Sequence, residues 1–268
     1  MRRVVIHSPF VGPSAWAATA GLLPASQVVT YDLAGPDWHV DAARQIAGQV
    51  QADSWAAVLH SSAGSLAAAL ADVSPSLAAF VFLDAVLPRP GCSALDITPP
   101  DQSAALLGMA RDGCLPPWNR WFPPHVLEDW LPDCAVREAA LSDLPRVPLG
   151  FLEAPDPSSC AWEQLPSAFV QLSDGYRTNA DRAEARGWRV ERSASNHLGM
   201  ASDRRGWRKS LRSSPPPRRS PSPSAPPPAP QSSLASRPAL SPYARREPDL
   251  ANELGRGSRT ALGRRSAS

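Results

Sequence analysis

The residues whose types and spacing could do chemistry lie at 60–64, His60-Ser61-Ser62-Ala63-Gly64, between an apolar run at 55–59 and a stretch of small residues at 65–70. A strand buried on both faces of a sheet reads as a continuous apolar run. Small residues after it allow a sharp turn into a helix, and a serine at the apex of that turn has its hydroxyl pushed out at the carboxyl edge of the sheet, the nucleophile elbow. Either serine could stand there. Ser62 has Gly64 two residues after it but bulky His60 two residues before it. Ser61 gives the order His-Ser-x-small-Gly, which matches the Gly-His-Ser-x-Gly-Gly form of the motif over four successive residues and leaves Leu59 where glycine is usual. Ser61 is the preferred register. A Ser-rich turn without chemistry is the alternative.

A serine hydroxyl becomes a useful nucleophile only when a base takes its proton as it attacks. Of the five histidines, His39 and His125 lie away from any motif, His7 closes the first strand, and His60 is fixed beside the serine by the chain itself. His197, on a loop after the last strand-like run, is the candidate base. It needs a third group to hold its tautomer and stabilise the imidazolium. Asp174 and Asp84, each at the carboxyl end of a strand-like run, are the two candidates.

The elements that must position these groups alternate in type. Runs at 4–6, 28–33, 55–59 and 78–83 read as strands, and 15–23, 40–50 and 65–70 as helices between them. That order implies a parallel sheet with right-handed crossovers and chemistry at the carboxyl ends of its strands. Residues 93–166 break the alternation with twelve prolines and the aromatic cluster Trp118, Trp121, Phe122 and Trp130. A strand at 167–172, a helix at 176–186 stopped by Gly187, and a strand at 188–192 follow, with Asn196-His197 just beyond.

Four pieces in this order resemble the α/β-hydrolases of the compact kind that includes plant methyl-ester esterases and hydroxynitrile lyases. They are Val-Val-Ile-His at 4–7 with Trp16, Leu-His-Ser-Ser-Ala-Gly at 59–64, Phe-Leu-Asp-Ala-Val-Leu-Pro-Arg-Pro-Gly at 82–91, and Asn-His-Leu-Gly-Met at 196–200. The resemblance spans 1–203 and implies an α/β-hydrolase domain, a mostly parallel sheet with helices on both faces. A small helical cap at 93–166 would roof a substrate pocket with Trp118, Trp121 and Trp130, although the same aromatics could simply anchor an irregular excursion to the core. Asp174 occupies the acid position commonest in the superfamily, in the chain order Ser, Asp, His, and is preferred; Asp84 matches a position that a minority uses. The oxyanion donors would be the N–H of Ser62 and, because Pro9 has none to give, that of Phe10. The loop up to Trp16 is about two residues longer than in the plant esterases.

The function this implies is cleavage of a small carboxylic ester, thioester or amide through an acyl-enzyme, with no cofactor and a small-molecule ester-like substrate as partner. A hydroxynitrile-lyase-like reaction is the second reading. The plant lyases also depend on a lysine near the pocket, whereas the only lysine here, Lys209, lies outside the matched region. A non-catalytic binding protein on the same fold is the third, favoured by Leu59 and Pro9. No Gly-x-Gly-x-x-Gly follows the first strand, which argues against a dinucleotide site.

Composition divides the chain. Residues 1–203 carry a net charge of −9 and residues 204–268 a net charge of +11, the latter with Pro-Pro-Pro-Arg-Arg-Ser-Pro-Ser-Pro-Ser at 215–224. Such a segment has little apolar surface to bury and is expected to be a disordered tail rather than a nucleic-acid-binding domain. It also has the composition of GC-rich sequence read out of frame. Reading the codons after Asp203 two bases on permits Pro-Pro-Arg-Val-Ala-Glu-Val, a helix start with Asp203 as N-cap and Pro at N1. The tail is therefore a candidate frameshift product in place of a closing helix. Cys92, Cys114, Cys134 and Cys160 show no paired spacing, and no apolar run approaches membrane-spanning length. A cytoplasmic protein with neither disulfides nor metal is expected.

Overall fold

The computed structural model describes residues 1–20, 26–33 and 35–202, so the tail expected at 204–268 lies outside the described residues. Among the described residues eight strands form: β1 Arg2–Ile6, β2 Ser26–Val29, β3 Trp55–Ser61, β4 Leu77–Ala85, β5 Cys114–Leu115, β6 Val147–Pro148, β7 Ser167–Gln171 and β8 Arg189–Arg192. Six of them make one sheet in the order β2-β1-β3-β4-β7-β8, parallel throughout, while β5 and β6 pair antiparallel within the 93–166 insertion. Every residue of β3 is buried, as its uninterrupted apolar run requires.

The order of connections decides where a ligand can enter. From β1 the chain crosses outward to β2, then back over β1 to β3, and from there onward to β4, β7 and β8. The loops after β1 and β3 therefore part at the point where the strand order reverses, which is the crevice that open parallel sheets offer to ligands. Right-handed crossovers put the helices Trp38–Gln49, Ala67–Val73 and Arg177–Ala185 on one face of the sheet. The short helix Ala17–Ala20 takes the other, where it meets Gly199–Ser202.

The run at 28–33 leaves the sheet earlier than its sequence suggests. Beyond Val29 the backbone turns to side chains of helix Trp38–Gln49: Gln49 Nε2 donates to the Thr30 carbonyl at 2.7 Å, and Gln45 Oε1 accepts from Asp32 N–H at 3.0 Å. Two glutamines thus replace a strand partner. Gly187, at φ 73°, ends Arg177–Ala185 in the left-handed conformation that suits glycine. Residues 93–166 fold as short helices, among them Pro100–Met109, Pro124–Trp130 and Cys134–Ala140, and contribute the roof of the cavity described below. Among the described residues no helix is long and apolar enough to cross a membrane.

Candidate active site

Ser61 ends β3 at φ 57° and ψ −130°. For a residue with a Cβ this region costs on the order of 1–3 kcal/mol and survives only where the surroundings over-determine it. Here the pairing of β3 with β4 slips at His60/Ser61, and the Val86 N–H donates to the Ser61 carbonyl at 3.1 Å. The turn then enters the 3-10 helix Ser62–Leu66 and helix Ala67–Val73. Gly64 is what lets it pass: a Cβ there would lie 1.9 Å from the Val86 carbonyl oxygen.

The Ser61 hydroxyl meets His197 Nε2 at 3.0 Å, and His197 Nδ1 meets Asp84 Oδ2 at 2.8 Å. Asp84, at the end of β4, is fully buried and sits at φ 43°. Its Oδ1 accepts from Leu172 N–H at 2.8 Å and Ser173 N–H at 3.0 Å, and its Oδ2 accepts from the Ser173 hydroxyl at 2.6 Å as well as from His197. Four donors on one carboxyl group keep a buried negative charge satisfied. An ionised carboxylate can only accept, so the neutral imidazole assigned from this network carries its proton on Nδ1 and turns the Nε2 lone pair to Ser61.

No protein-family model and no curated protein sequence matches the chain. Solved structures do, and the three named next each align over 79% of this chain and 96% of their own length. An extracellular α/β-hydrolase from a Paenibacillus species, described as sharing structural and functional homology with tobacco salicylic acid binding protein 2, aligns with a TM-score of 0.61 at 17% identity. Tomato methylketone synthase I, as a variant complexed with β-ketoheptanoate, gives 0.57 at 15%, and a pyrethroid hydrolase from Sphingobium faniae gives 0.54 at 16%. The protein has the α/β-hydrolase fold.

Within this fold the geometry does not bring Asp174, the preferred candidate for the acid, to His197. The Asp174 side chain is 70% exposed and pairs with Arg177 at 2.6 Å on the first turn after β7. The same loop turns the backbone N–H groups of Leu172 and Ser173 onto Asp84 instead. Ser62 opens its 3-10 helix, where the first N–H groups have no partner inside the helix, and it borders the cavity. Phe10 borders it too, but its N–H donates to Ser8 Oγ at 3.2 Å.

The cavity over Ser61 and His197 measures about 230 Å³. Ile97, Leu106, Trp118 and Trp121 from the insertion wall it, facing Phe10 and Tyr176 from the core domain. Trp130 is not on the wall, contrary to expectation. It packs behind Trp118, with ring centroids 5.7 Å apart, and its carbonyl accepts from Asn196 Nδ2 at 3.0 Å, which ties the histidine loop to the insertion. Among the described residues no group of three His, Cys, Asp or Glu side chains is arranged to hold a metal ion.

Sequence reasoning gave no role to two residues at this site. Tyr176 stacks on the His197 ring at 5.0 Å and 7°, with its hydroxyl 3.0 Å from Ser61 Oγ. His60 also stacks on the His197 ring, with centroids 4.8 Å apart, and donates from Nε2 to the His197 carbonyl at 3.2 Å. The place of Tyr176 just after the penultimate strand was the available signal, and the neighbouring Asp174 drew attention from it.

Burial, with His197 nearby, holds the His60 pKa well below that of a free histidine, and burial lowers that of His7 as well. Both therefore take up protons less readily in the fold than in the unfolded chain, where protonation begins near pH 6.5, about the free-histidine value. Stability falls wherever the unfolded state binds the extra protons. The melting temperature is thus expected to be flat with respect to these groups above pH 7 and to drop on acidification from about pH 6.5 towards the lowered folded values. Thermal melts across pH 5–8 check this, and His60→Gln should make the slope shallower.

Proposed function

We propose that this protein is a serine hydrolase that cleaves a small carboxylic ester, thioester or amide through an acyl-enzyme. The observation that carries the reading is the unbroken hydrogen-bonded chain Asp84–His197–Ser61, with Ser61 held at a strained apex under an apolar cavity. Ser61 attacks the carbonyl carbon as His197 Nε2 takes its proton, and Asp84 stabilises the imidazolium. The carbonyl electron pair moves onto oxygen beside the Ser62 N–H, then returns as the leaving group departs with the proton from His197. Water repeats the sequence in reverse roles and releases the acid.

Volume limits what fits. Ligand cavities commonly span about 300–1,000 Å³, so a void of about 230 Å³ suits a short acyl chain or a compact alcohol. The fold itself is neutral on chemistry, since a methylketone synthase and a pyrethroid hydrolase share it. The lyase reading lacks a lysine, because no lysine lies among the described residues. The test is labelling by a fluorophosphonate probe, with short-chain aryl esters as substrates. Stoichiometric labelling that disappears in Ser61→Ala is the expected result. A wild-type protein that neither labels nor turns over any short ester would be a binding protein on this fold.

A further inference from the structure

The Tyr176 hydroxyl stands outside the proposed triad, yet it touches the reacting atom, Ser61 Oγ, at 3.0 Å from the wall of the same cavity. The direction of that bond follows from its neighbours. Asp84 receives the Nδ1 proton of His197, so Nε2 presents a lone pair and takes up the single hydroxyl proton of Ser61. Tyr176 must then donate and Ser61 Oγ accept. Burial raises the phenol's pKa above its ordinary value, with the Asp84 charge acting the same way, so the donor proton is retained at neutral pH. The loop after β1, meanwhile, lacks a ready amide: Pro9 has no N–H, and that of Phe10 is engaged by Ser8 Oγ.

We infer that Tyr176 is a catalytic hydrogen-bond donor of this hydrolase, serving the oxyanion together with the Ser62 N–H in place of the amide that the loop lacks. The inference rests on the acyl-enzyme reading above. In the free enzyme the phenol donates to Ser61 Oγ. When the Oγ–carbon bond forms, the Ser61 proton goes to His197 and the carbonyl electron pair to oxygen. That oxygen is only two covalent bonds from Oγ, within reach of a small swing of the phenol. Tyr176 keeps its own proton throughout and makes only hydrogen bonds. Its ring is held against His197 and it opens onto helix Arg177–Ala185, so the donor is fixed before charge develops.

Tyr176→Phe keeps the ring and removes only the hydroxyl. It is expected to lower kcat on short aryl esters about 10²–10³-fold, as loss of one oxyanion donor does, with KM little changed. Affinity for a trifluoromethyl ketone, which adds to Ser61 and carries the oxyanion, should fall by a similar factor, while affinity for the product acid stays the same. A merely structural tyrosine would weaken both ligands together. Circular dichroism reports whether the variant folds; 3-fluorotyrosine at 176, close in size and more acidic, provides a second variant expected to tighten the ketone. A kcat within about threefold of wild type, or ketone affinity unchanged, overturns the donor role alone. Failure of the wild-type protein to label at Ser61 removes both this inference and the reading beneath it.

Discussion

Ser61→Ala is expected to bring ester hydrolysis down to the background rate, a loss on the order of 10⁶-fold if the serine and histidine act as one unit. The size of the effect follows from what Ser61 alone would supply in the proposed mechanism, the atom that bonds to carbon. Alanine leaves the strained φ of 57° in place and removes no packing beyond the hydroxyl, so the fold should persist. What changes is that His197 Nε2 and the Tyr176 hydroxyl lose the oxygen between them. Ser62→Ala is the contrasting variant. It keeps the backbone N–H at 62 and the His197–Ser61 contact, and is expected to lose less than about tenfold, since a half-buried hydroxyl outside the hydrogen-bonded chain carries no step. Rates on a short aryl ester and probe labelling of both variants check this. If Ser62→Ala proved the dead one, the apex would lie one residue on.

Asp84→Asn is expected to cost about 10⁴-fold in kcat, the loss seen when an orienting aspartate becomes an amide in a serine protease. The reason is geometric. The amide oxygen can stay where Oδ1 is and keep the N–H groups of Leu172 and Ser173 satisfied. The amide nitrogen then replaces Oδ2 and offers a donor to His197 Nδ1, which must become an acceptor. The proton moves to Nε2, and the imidazole faces Ser61 with no lone pair to take its hydrogen. Asp174→Asn should fall within about threefold of wild type, because an exposed pair with Arg177 contributes little. Measured kcat values for the two variants decide between the acids.

Much of this was legible before any coordinates. The apolar run at 55–59 and the small residues after it are sufficient for the elbow, because a buried strand and a close-packed helix start leave few other sequences possible. Leu59 did not stop it: the side chain is absorbed into the core without exposure. Which aspartate meets His197 was not legible. Asp84 and Asp174 both follow strands, and what separates them is a set of bonds from Leu172 and Ser173 to Asp84 across 88 and 89 residues of chain. No local pattern encodes such a bond. The aromatics of the insertion divided for a similar reason, since Trp118 and Trp130 pack against each other and only Trp118 of the two borders the void.

The direct pairing of β3 with β4 also bears on when the protein acquires its chemistry during synthesis. Ser61 and Asp84 ride on adjacent parallel strands whose ladder reaches Ser61 and Ala85, joined through the helical crossover at 62–76, a unit that the ribosome releases early. His197 lies 113 residues after Asp84 and 136 after Ser61. Two of the three proposed groups are thus set by one strand–helix–strand crossover while the proposed base is still untranslated, and a growing chain carries a serine that nothing deprotonates. The onset of turnover would then mark docking of the loop at 196–198, making activity a clock for the last stage of folding rather than for the formation of the sheet.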